Sequence, residues 1–520
     1  MKIVIRVDAS CNIGTGHVIR CLTLAKELRK FGMEAVFICR EHPGNLNFLV
    51  KRKGFEVHQL PAHIIKTSYN IESGFPYVDT LGAPWSQDAE ETRRVIKKLG
   101  EPDWLVIDHY AIGQSWHEVL RSNVKKIFVI DDLANRIHDC DMLLDQTYGR
   151  KISDYKDLVP ENCKTLLGAS FALLRSQFRK LRISARKKRR KTKGVQRIFI
   201  SLGGMDVDNV TGLVLQGLEK IEWNQRLEID VVLSNGAPHL SNIKKIANQS
   251  DLNVKLHFDV DYIAELMLDA DLAIGAGGST AWERCCLGLP TLTITTADNQ
   301  KKVIDVLVST GAAIHLGDSS HFCYDSLIKR VVQLLCKDDA CKKWRLLSNN
   351  AFKLCDGNGV KRVVREILDG TREVTLREAG MEDCQMVFDW QQEPNIRKYC
   401  RNKKPPGWKE HGIWFQEKIQ SKNSQLFIIM RSDQSAGMVR LDRLNEKQRT
   451  FEISILISPE FQKKGIAKKA LIYLRELKPS IDLMAEVFPK NTASVKLFES
   501  VGYKKIDNTW FKLRAIKKKK

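Results

Sequence analysis

Three clusters in this chain have the residue types and spacing that chemistry on phosphorylated substrates needs. The first follows a short β-branched run at residues 3–7: Asp8, then Gly14, Gly16 and His17, with a helical pattern starting just after. Glycines at such a turn let a ligand approach the backbone, and a helix start offers unsatisfied N–H groups to an anion. A neutral imidazole there can take a proton from water, although a plain turn with a capping histidine has the same pattern. The second cluster, Gly275, Gly277, Gly278, Ser279 and Thr280, follows an apolar run and opens a helix that carries Glu283 in its first turn. Its backbone N–H groups and two hydroxyls suit phosphate oxygens, and a carboxylate can accept two hydroxyl hydrogen bonds at once. The third is the strand pattern at 451–457 followed by Gln462, Lys463, Lys464, Gly465, Ile466 and Ala467. A strand delivering Q-x-x-G-x-A to a helix start is a pyrophosphate cradle, with two lysines to meet the dianion.

The elements that must position these clusters fall into three blocks. Short β-branched runs alternating with amphipathic stretches predict βαβ units over 1–178, and the alternation restarts over 198–370, giving two Rossmann-like domains. Between them, residues 179–197 hold eleven Lys or Arg and no acid, a pattern that reads as a solvated basic linker. From 374 to 515 the order becomes strand, helix, several strands, helix, strand, helix, strand, a separate α+β domain followed by a basic tail at 516–520. The fold class is therefore α/β, two Rossmann-like domains followed by an α+β domain.

Composition limits the function classes. A length of 520 residues allows several cores, and 43% hydrophobic with 28% charged residues describes a globular chain. The net charge of +22 raises the question of nucleic acid or an anionic membrane. Eleven of those charges lie in 179–197 and four in the terminal lysines, so the excess is local and no nucleic-acid or membrane partner is expected. No apolar run is long enough to span a bilayer, and the N-terminus is charged too early for a signal peptide, so a cytoplasmic location is expected. Thirteen cysteines without C-x-x-C spacing suggest neither a disulfide framework nor a zinc site. Asp206-x-Asp208 and Asp259-x-Asp261 have the form of a metal motif, but neither stands beside a histidine, and no metal is expected.

Arg6-x-Asp8, Gly14-x-Gly16-His17, Asp108-His109-Tyr110 and Ala172-Leu173-Leu174-Arg175 together resemble the UDP-sugar hydrolases of pseudaminic acid biosynthesis, in order and spacing, from residue 1 to about 350. That family is similar to the two-domain GT-B glycosyltransferases, with water replacing the acceptor sugar. The resemblance implies a UDP-linked amino sugar as substrate and His17 as general base. It assigns Asp8, Gly14, Gly16, Asp108, His109, Tyr110 and Arg175 to the sugar or water side, although Asp108 equally suits a helix cap. Gly203 and Gly204 would approach the diphosphate, Gly278, Ser279 and Thr280 would hold it, and Glu283 would bind the ribose hydroxyls.

The third cluster resembles motif A of the GNAT N-acetyltransferases, and the stretch from Asn491 and Ser494 to Tyr503 resembles their motif B, covering 374 to about 515. This implies acetyl-CoA as co-substrate, held by Ile455, Ile457, Gln462, Lys463, Lys464, Gly465, Ile466, Ala467, Asn491 and Ser494. Glu452 would deprotonate the acceptor amine or else serve in cross-strand charge pairing. Phe498 stands at the family's usual tyrosine position, which leaves Tyr503 as the nearest phenol. Both resemblances in one chain imply a bifunctional enzyme of one pathway. The GNAT domain would acetylate the 4-amino group of UDP-4-amino-4,6-dideoxy-N-acetyl-β-L-altrosamine, and the GT-B-like half would hydrolyse the diacetamido product. The alternatives are a catalytically silent nucleotide-sugar module beside the acetyltransferase, or a GNAT enzyme acting on protein amines.

Overall fold

The computed structural model describes all residues except 12, 64–76, 193, 224–226, 322–323, 336–339, 370–372, 432–433, 445–448 and 517–520; most of the expected basic tail lies outside the described residues. The chain forms two compact units, Met1–Arg365 and Glu366–Lys520.

The first unit holds two parallel sheets. Strands β1 (Lys2–Val7), β2 (Glu34–Arg40), β3 (Glu56–Leu60), β4 (Trp104–Asp108), β5 (Ile127–Ile130), β6 (Met142–Asp145) and β7 (Lys164–Leu167) lie in the order β3-β2-β1-β4-β5-β6-β7. Ile3, Val4, Ile5 and Val7 are fully buried, because a parallel strand is covered by helices on both faces. Strands β8 (Arg197–Ser201), β9 (Glu228–Leu233), β10 (Asn253–Phe258), β11 (Leu272–Ala276), β12 (Thr291–Thr295) and β13 (Ala313–Asp318) repeat the plan as β10-β9-β8-β11-β12-β13. The strand order reverses between β1 and β4 in one sheet and between β8 and β11 in the other. Loops diverge at such a reversal and open a crevice at the carboxyl ends of the strands. Asp8 to His17 follow β1, Asp108 to Tyr110 end and follow β4, Gly203 and Gly204 follow β8, and Gly275 to Glu283 end and follow β11, whereas Arg175 comes after β7 at the far edge of the first sheet.

The second unit has one mixed sheet: β14 (Val374–Glu378), β15 (Ser424–Arg431), β16 (Gln434–Arg443), β17 (Thr450–Ile457), β18 (Asp482–Glu486), β19 (Lys504–Lys505) and β20 (Trp510–Leu513), in the order β14-β15-β16-β17-β18-β20-β19. Neighbours run antiparallel except β17 and β18, which are parallel.

The stretch 179–197 is not a solvated linker. Ser176–Lys191 is a helix with Phe178, Ala185 and Arg189 buried. Arg182 donates to the carbonyls of Cys286, Phe352 and Cys355 at 2.7 Å each, and Arg189 donates to Ala270 and, at 2.8 Å, to Met267. These carbonyls end the helices Thr280–Cys286, Ala340–Leu354 and Ile263–Asp269, where four C=O groups lack intrahelical partners and the dipole favours a cation. Arg179, Lys180, Arg186, Lys187, Arg190 and Lys191 stay on the exposed face. Among the described residues, no helix is long and apolar enough to cross a membrane.

Arg182→Met leaves three carbonyls without their charged donor and lowers the unfolding free energy by about 3 kcal/mol, whereas Lys187→Ala changes it by less than about 0.5 kcal/mol; denaturant titration of both variants measures this. His117 and His138 stack with ring centroids 5.4 Å apart, and burial holds both below the ordinary histidine range, His138 down to about 4. A depressed folded-state value means that stability is complete above the unfolded value of about 6.5 and is lost as pH falls towards 4. His138→Leu removes on the order of 3 kcal/mol of that acid sensitivity, read as a flatter dependence of unfolding free energy on pH across this window.

Candidate functional site

At the β1/β4 reversal the side chains form one charged cluster. His17, in the first turn of the helix Gly16–Arg29, places Nδ1 2.6 Å from Asp108 Oδ1 at the end of β4. A carboxylate only accepts, so Nδ1 carries a proton, and in the neutral imidazole Nε2 is then the nitrogen that keeps its lone pair. Arg20, one turn along the helix, donates to both oxygens of Asp108 at 2.6 Å and to Asp132 at 2.6 Å. Burial alone would raise the Asp108 pKa; the charge of Arg20 and the hydrogen bonds from Arg20 and His17 outweigh it and hold this carboxyl well below the usual range. Tyr110 lies edge-on to the His17 ring at 4.6 Å and donates to Asp132 at 3.1 Å. Asp108 is thus a partner of His17 and Arg20 and caps no helix.

Arg20 and Asp132 were not singled out from the sequence. The available signal for Arg20 was a single cation three residues after His17 in an otherwise apolar stretch. For Asp132, two acids after the apolar run 127–130 gave no hint of a partner.

Asp8, at the end of β1, accepts from Arg6 Nη1 at 2.6 Å and from the Arg40 N–H at 2.7 Å, both through Oδ1. Its second oxygen faces His109 Nε2 at 3.6 Å and His42 Nε2 at 3.5 Å.

The other lobe meets this cluster through its own turns. Gly14 and Thr15 line a cleft of about 180 Å³ with Gly203, Gly204, Met205 and Thr296. A Cβ at Gly16 would lie 3.5 Å from Ser279 Oγ, and one at Gly204 would lie 3.8 Å from Thr15 Oγ1, so the turns of the two lobes come within van der Waals reach of each other. Space beside Gly278 is open, and Ser279 and Thr280 begin the helix Thr280–Cys286. Glu283 is 6% exposed; Oε1 accepts from Arg175 Nη2 at 2.8 Å, while Oε2 is buried without a partner. Arg175 therefore ties its lobe to Glu283. Asp206 accepts the N–H groups of Val210 and Thr211 at 2.9 Å each, which commits its carboxylate to a helix start.

In the second unit, β17 and β18 pair only at Thr450–Asp482, Phe451–Leu483 and Glu452–Met484, while β17 continues to Ile457. Beyond Glu452 the strands part, leaving half-buried Ile455 and Ile457 beside the gap. Past the end of β17, Lys463 and Gly465 both take left-handed backbone conformations, φ +60° and +74°, immediately before the helix Ile466–Leu477. Alternation of this kind turns successive N–H groups to one side and makes an anion nest. Gln462 braces the turn by donating to the Ile457 carbonyl at 3.2 Å, Lys463 and Lys464 are exposed, Ile466 is buried and Ala467 half-buried. Asn491 accepts the Ser494 N–H at 3.1 Å and caps the helix Thr492–Ser500.

Glu452 accepts from Arg401 Nη2 at 2.8 Å, and Arg401 also donates to Glu486. The glutamate's ion pair is with a connecting segment and not across the sheet. Tyr503, expected as a candidate proton donor, is a core side chain instead: 4% exposed, edge-on to Phe498 at 4.9 Å, with burial pushing its ionisation up. The residue between Gly502 and β19 turns inward here and packs on Phe498 of the preceding helix.

Two Rossmann-like lobes with opposed glycine loops define a GT-B-like α/β unit, and the parted strands with the nest after β17 define a GNAT domain. Residues 373–504 match the acetyltransferase (GNAT) domain family. An uncharacterized protein of Methanocaldococcus jannaschii is 26% identical over 98% of this chain and 99% of its own length. The UDP-2,4-diacetamido-2,4,6-trideoxy-β-L-altropyranose hydrolase of Campylobacter jejuni is 28% identical over 60% of this chain and 97% of its own. The crystal structure of Acinetobacter baumannii MurG covers 71% of this chain and 99% of its own with a TM-score of 0.50 and 14% identity, a likeness of fold. The chain thus joins a unit homologous to a nucleotide-sugar hydrolase to a GNAT acetyltransferase domain.

The cluster at the reversal makes a stability prediction. Asp108→Asn leaves the buried Arg20 charge short of its main partner and costs about 3 to 5 kcal/mol, whereas His17→Asn removes one hydrogen-bond partner and costs about 1 kcal/mol; unfolding curves of the two variants separate these outcomes.

Proposed function

We propose that this chain carries out two consecutive steps on a UDP-linked amino sugar. The C-terminal domain, over 374–515, transfers an acetyl group from acetyl-CoA to the 4-amino group of a UDP-4-amino-4,6-dideoxy-N-acetyl-β-L-altrosamine. The N-terminal unit then hydrolyses UDP-2,4-diacetamido-2,4,6-trideoxy-β-L-altropyranose to the free sugar and UDP. Both co-substrates belong to the cytoplasm, where the enzyme would work. The observation that carries the hydrolytic reading is the His17–Asp108 contact at a strand-order reversal, facing the glycine loops of the other lobe.

In the hydrolysis, His17 Nε2 takes a proton from water as the water oxygen attacks the anomeric carbon. The anomeric C–O bond breaks with its electron pair going to UDP, and the configuration inverts because water attacks once, directly. Asp108 holds the imidazole in the tautomer with Nε2 free and stabilises the imidazolium as it forms. Glu283 Oε2 accepts from a ribose hydroxyl, which supplies the partner this oxygen lacks. Gly203, Gly204, Gly278, Ser279 and Thr280 offer backbone and hydroxyl donors to the diphosphate.

In the acetylation, the acetyl-CoA arm lies along the unpaired edge of β17, beside Ile455 and Ile457, with its pyrophosphate in the nest formed by residues 462–467. Glu452 takes the proton of the acceptor amine, directly or through water, once Arg401 releases it. The amine nitrogen attacks the thioester carbonyl, and the C–S bond breaks to release the thiolate of CoA.

The test is the full chain incubated with acetyl-CoA and the UDP-amino sugar in H₂¹⁸O, followed by mass spectrometry. One acetyl group is gained first; free diacetamido sugar carrying ¹⁸O and unlabelled UDP follow. Label in UDP, or UDP release that precedes acetylation, would sink the scheme. His17→Asn lowers kcat of the hydrolytic step by about 10² to 10⁴ and leaves UDP affinity and acetylation unchanged.

A further inference from the structure

At the point where β17 and β18 part, one arginine bridges the two lips of the gap. Glu452 belongs to the last paired register of these strands, and Glu486 stands on β18 two residues beyond its partner Met484. Arg401 donates to Glu452 through Nη2 at 2.8 Å and to Glu486 through Nε. Its guanidinium also lies 5.9 Å from the ring centroid of Trp510, which pairs with Glu486 from β20. The arginine side chain is 58% exposed and that of Glu452 is 15% exposed, so Arg401 is the outer member of the pair and covers the carboxylate.

Arg401 belongs to a cationic loop. Residues 394–409 hold six Lys or Arg and no acid. Arg397 donates to the Lys404 carbonyl at 2.6 Å and Gln392 to the Pro406 carbonyl at 3.1 Å, which folds the segment back on itself. Lys398, Arg401, Lys403 and Lys404 are exposed on it. Close cations repel one another and favour an anion among them. They also disfavour the protonated form of a nearby amine, and only the neutral amine attacks a thioester. Such a loop turns a polycation away, whereas an arginine fork matches the oxygens of a phosphate.

We infer that this loop recognises the diphosphate of the acceptor, with Arg401 as the specificity-determining residue. On binding, Arg401 leaves Glu452 for a phosphate oxygen, and the uncovered carboxylate receives the amine proton. A pyranose ring separates a 4-amine from the diphosphate, a span comparable to an arginine side chain, so one side-chain movement serves both ends of the sugar. Only hydrogen bonds are exchanged in it, and Nε can stay on Glu486. This inference rests on the acetylation reading given above.

The test follows acetyl transfer from acetyl-CoA by the full chain, with every acetylated product counted by mass spectrometry. The acceptors are the UDP-4-amino sugar, the methyl glycoside of the same amino sugar, and spermidine. The wild type prefers the UDP sugar, and the preference falls with added salt. Arg401→Ala raises KM for the UDP sugar about tenfold or more, flattens its salt dependence, and speeds acetylation of the methyl glycoside severalfold because Glu452 is no longer covered. Arg401→Lys keeps the charge and restores part of the KM. Equal losses for both sugars would reduce Arg401 to a structural role, and a methyl glycoside rate left unchanged would overturn the release of Glu452. An unchanged KM for the UDP sugar, or spermidine acetylated in preference to it, would overturn the anion site. Failure of the acetylation reading itself is seen separately, as a wild-type chain that binds acetyl-CoA in calorimetry and acetylates neither sugar.

Discussion

A carboxylate cut off from water must be held ionised by its neighbours, and the crevice of the first unit is organised around that constraint at Asp108. Arg20 forks onto both of its oxygens and reaches Asp132, while His17 shares one of them. A second chain of charges runs beside it, with Arg6 between Asp8 and Asp88, and Arg40 between Asp88 and Glu91. Desolvating so many charges cancels much of their attraction, so the networks are weak contributors to stability. Their effect is geometric: every charged group has one arrangement in which it is paired, and that arrangement fixes the imidazole of His17.

The strands and glycine turns of this site were legible because they depend on local chemistry. Residues 3–7 can only be a buried strand, and Gly14, at φ +80°, and Gly16 mark the turn that follows it. The partners of His17 were less legible, since Asp108 lies 91 residues away and Arg20 differs from a surface arginine only in what surrounds it. His42 left no trace at all, because its place beside Asp8 depends on β2 pairing with β1 and on Gly82 pressing from a third segment. In the second unit the nest after β17 was readable from glycine and lysine spacing. The direction of Tyr503 was not, because it is decided by packing against Phe498.

The helix Ser176–Lys191 shows why a run of like charge is a poor guide to solvation. Arg182 and Arg189 are seven residues apart and fall on one face, where each meets carbonyls at helix ends. A basic run read residue by residue is a repelling chain, but read at helical period it is a capping face backed by an exposed cationic stripe. The part of the net charge that once suggested a linker therefore includes groups that hold the second lobe together.

Among the described residues, three carboxylate oxygens are buried without a partner: Asp8 Oδ2, Asp132 Oδ1 and Glu283 Oε2. Asp8 and Asp132 stand past the strand ends in one lobe, and Glu283 lies in the first helical turn after the opposing glycine loop of the other. An ionised oxygen can only accept, so what completes these sites must bring donors, as hydroxyl and amide groups do. A core position would lose such an atom to an apolar substitution at little cost. Concentration of these oxygens around one crevice is what distinguishes a site built for a ligand rich in donors from a polar core that happens to be imperfect.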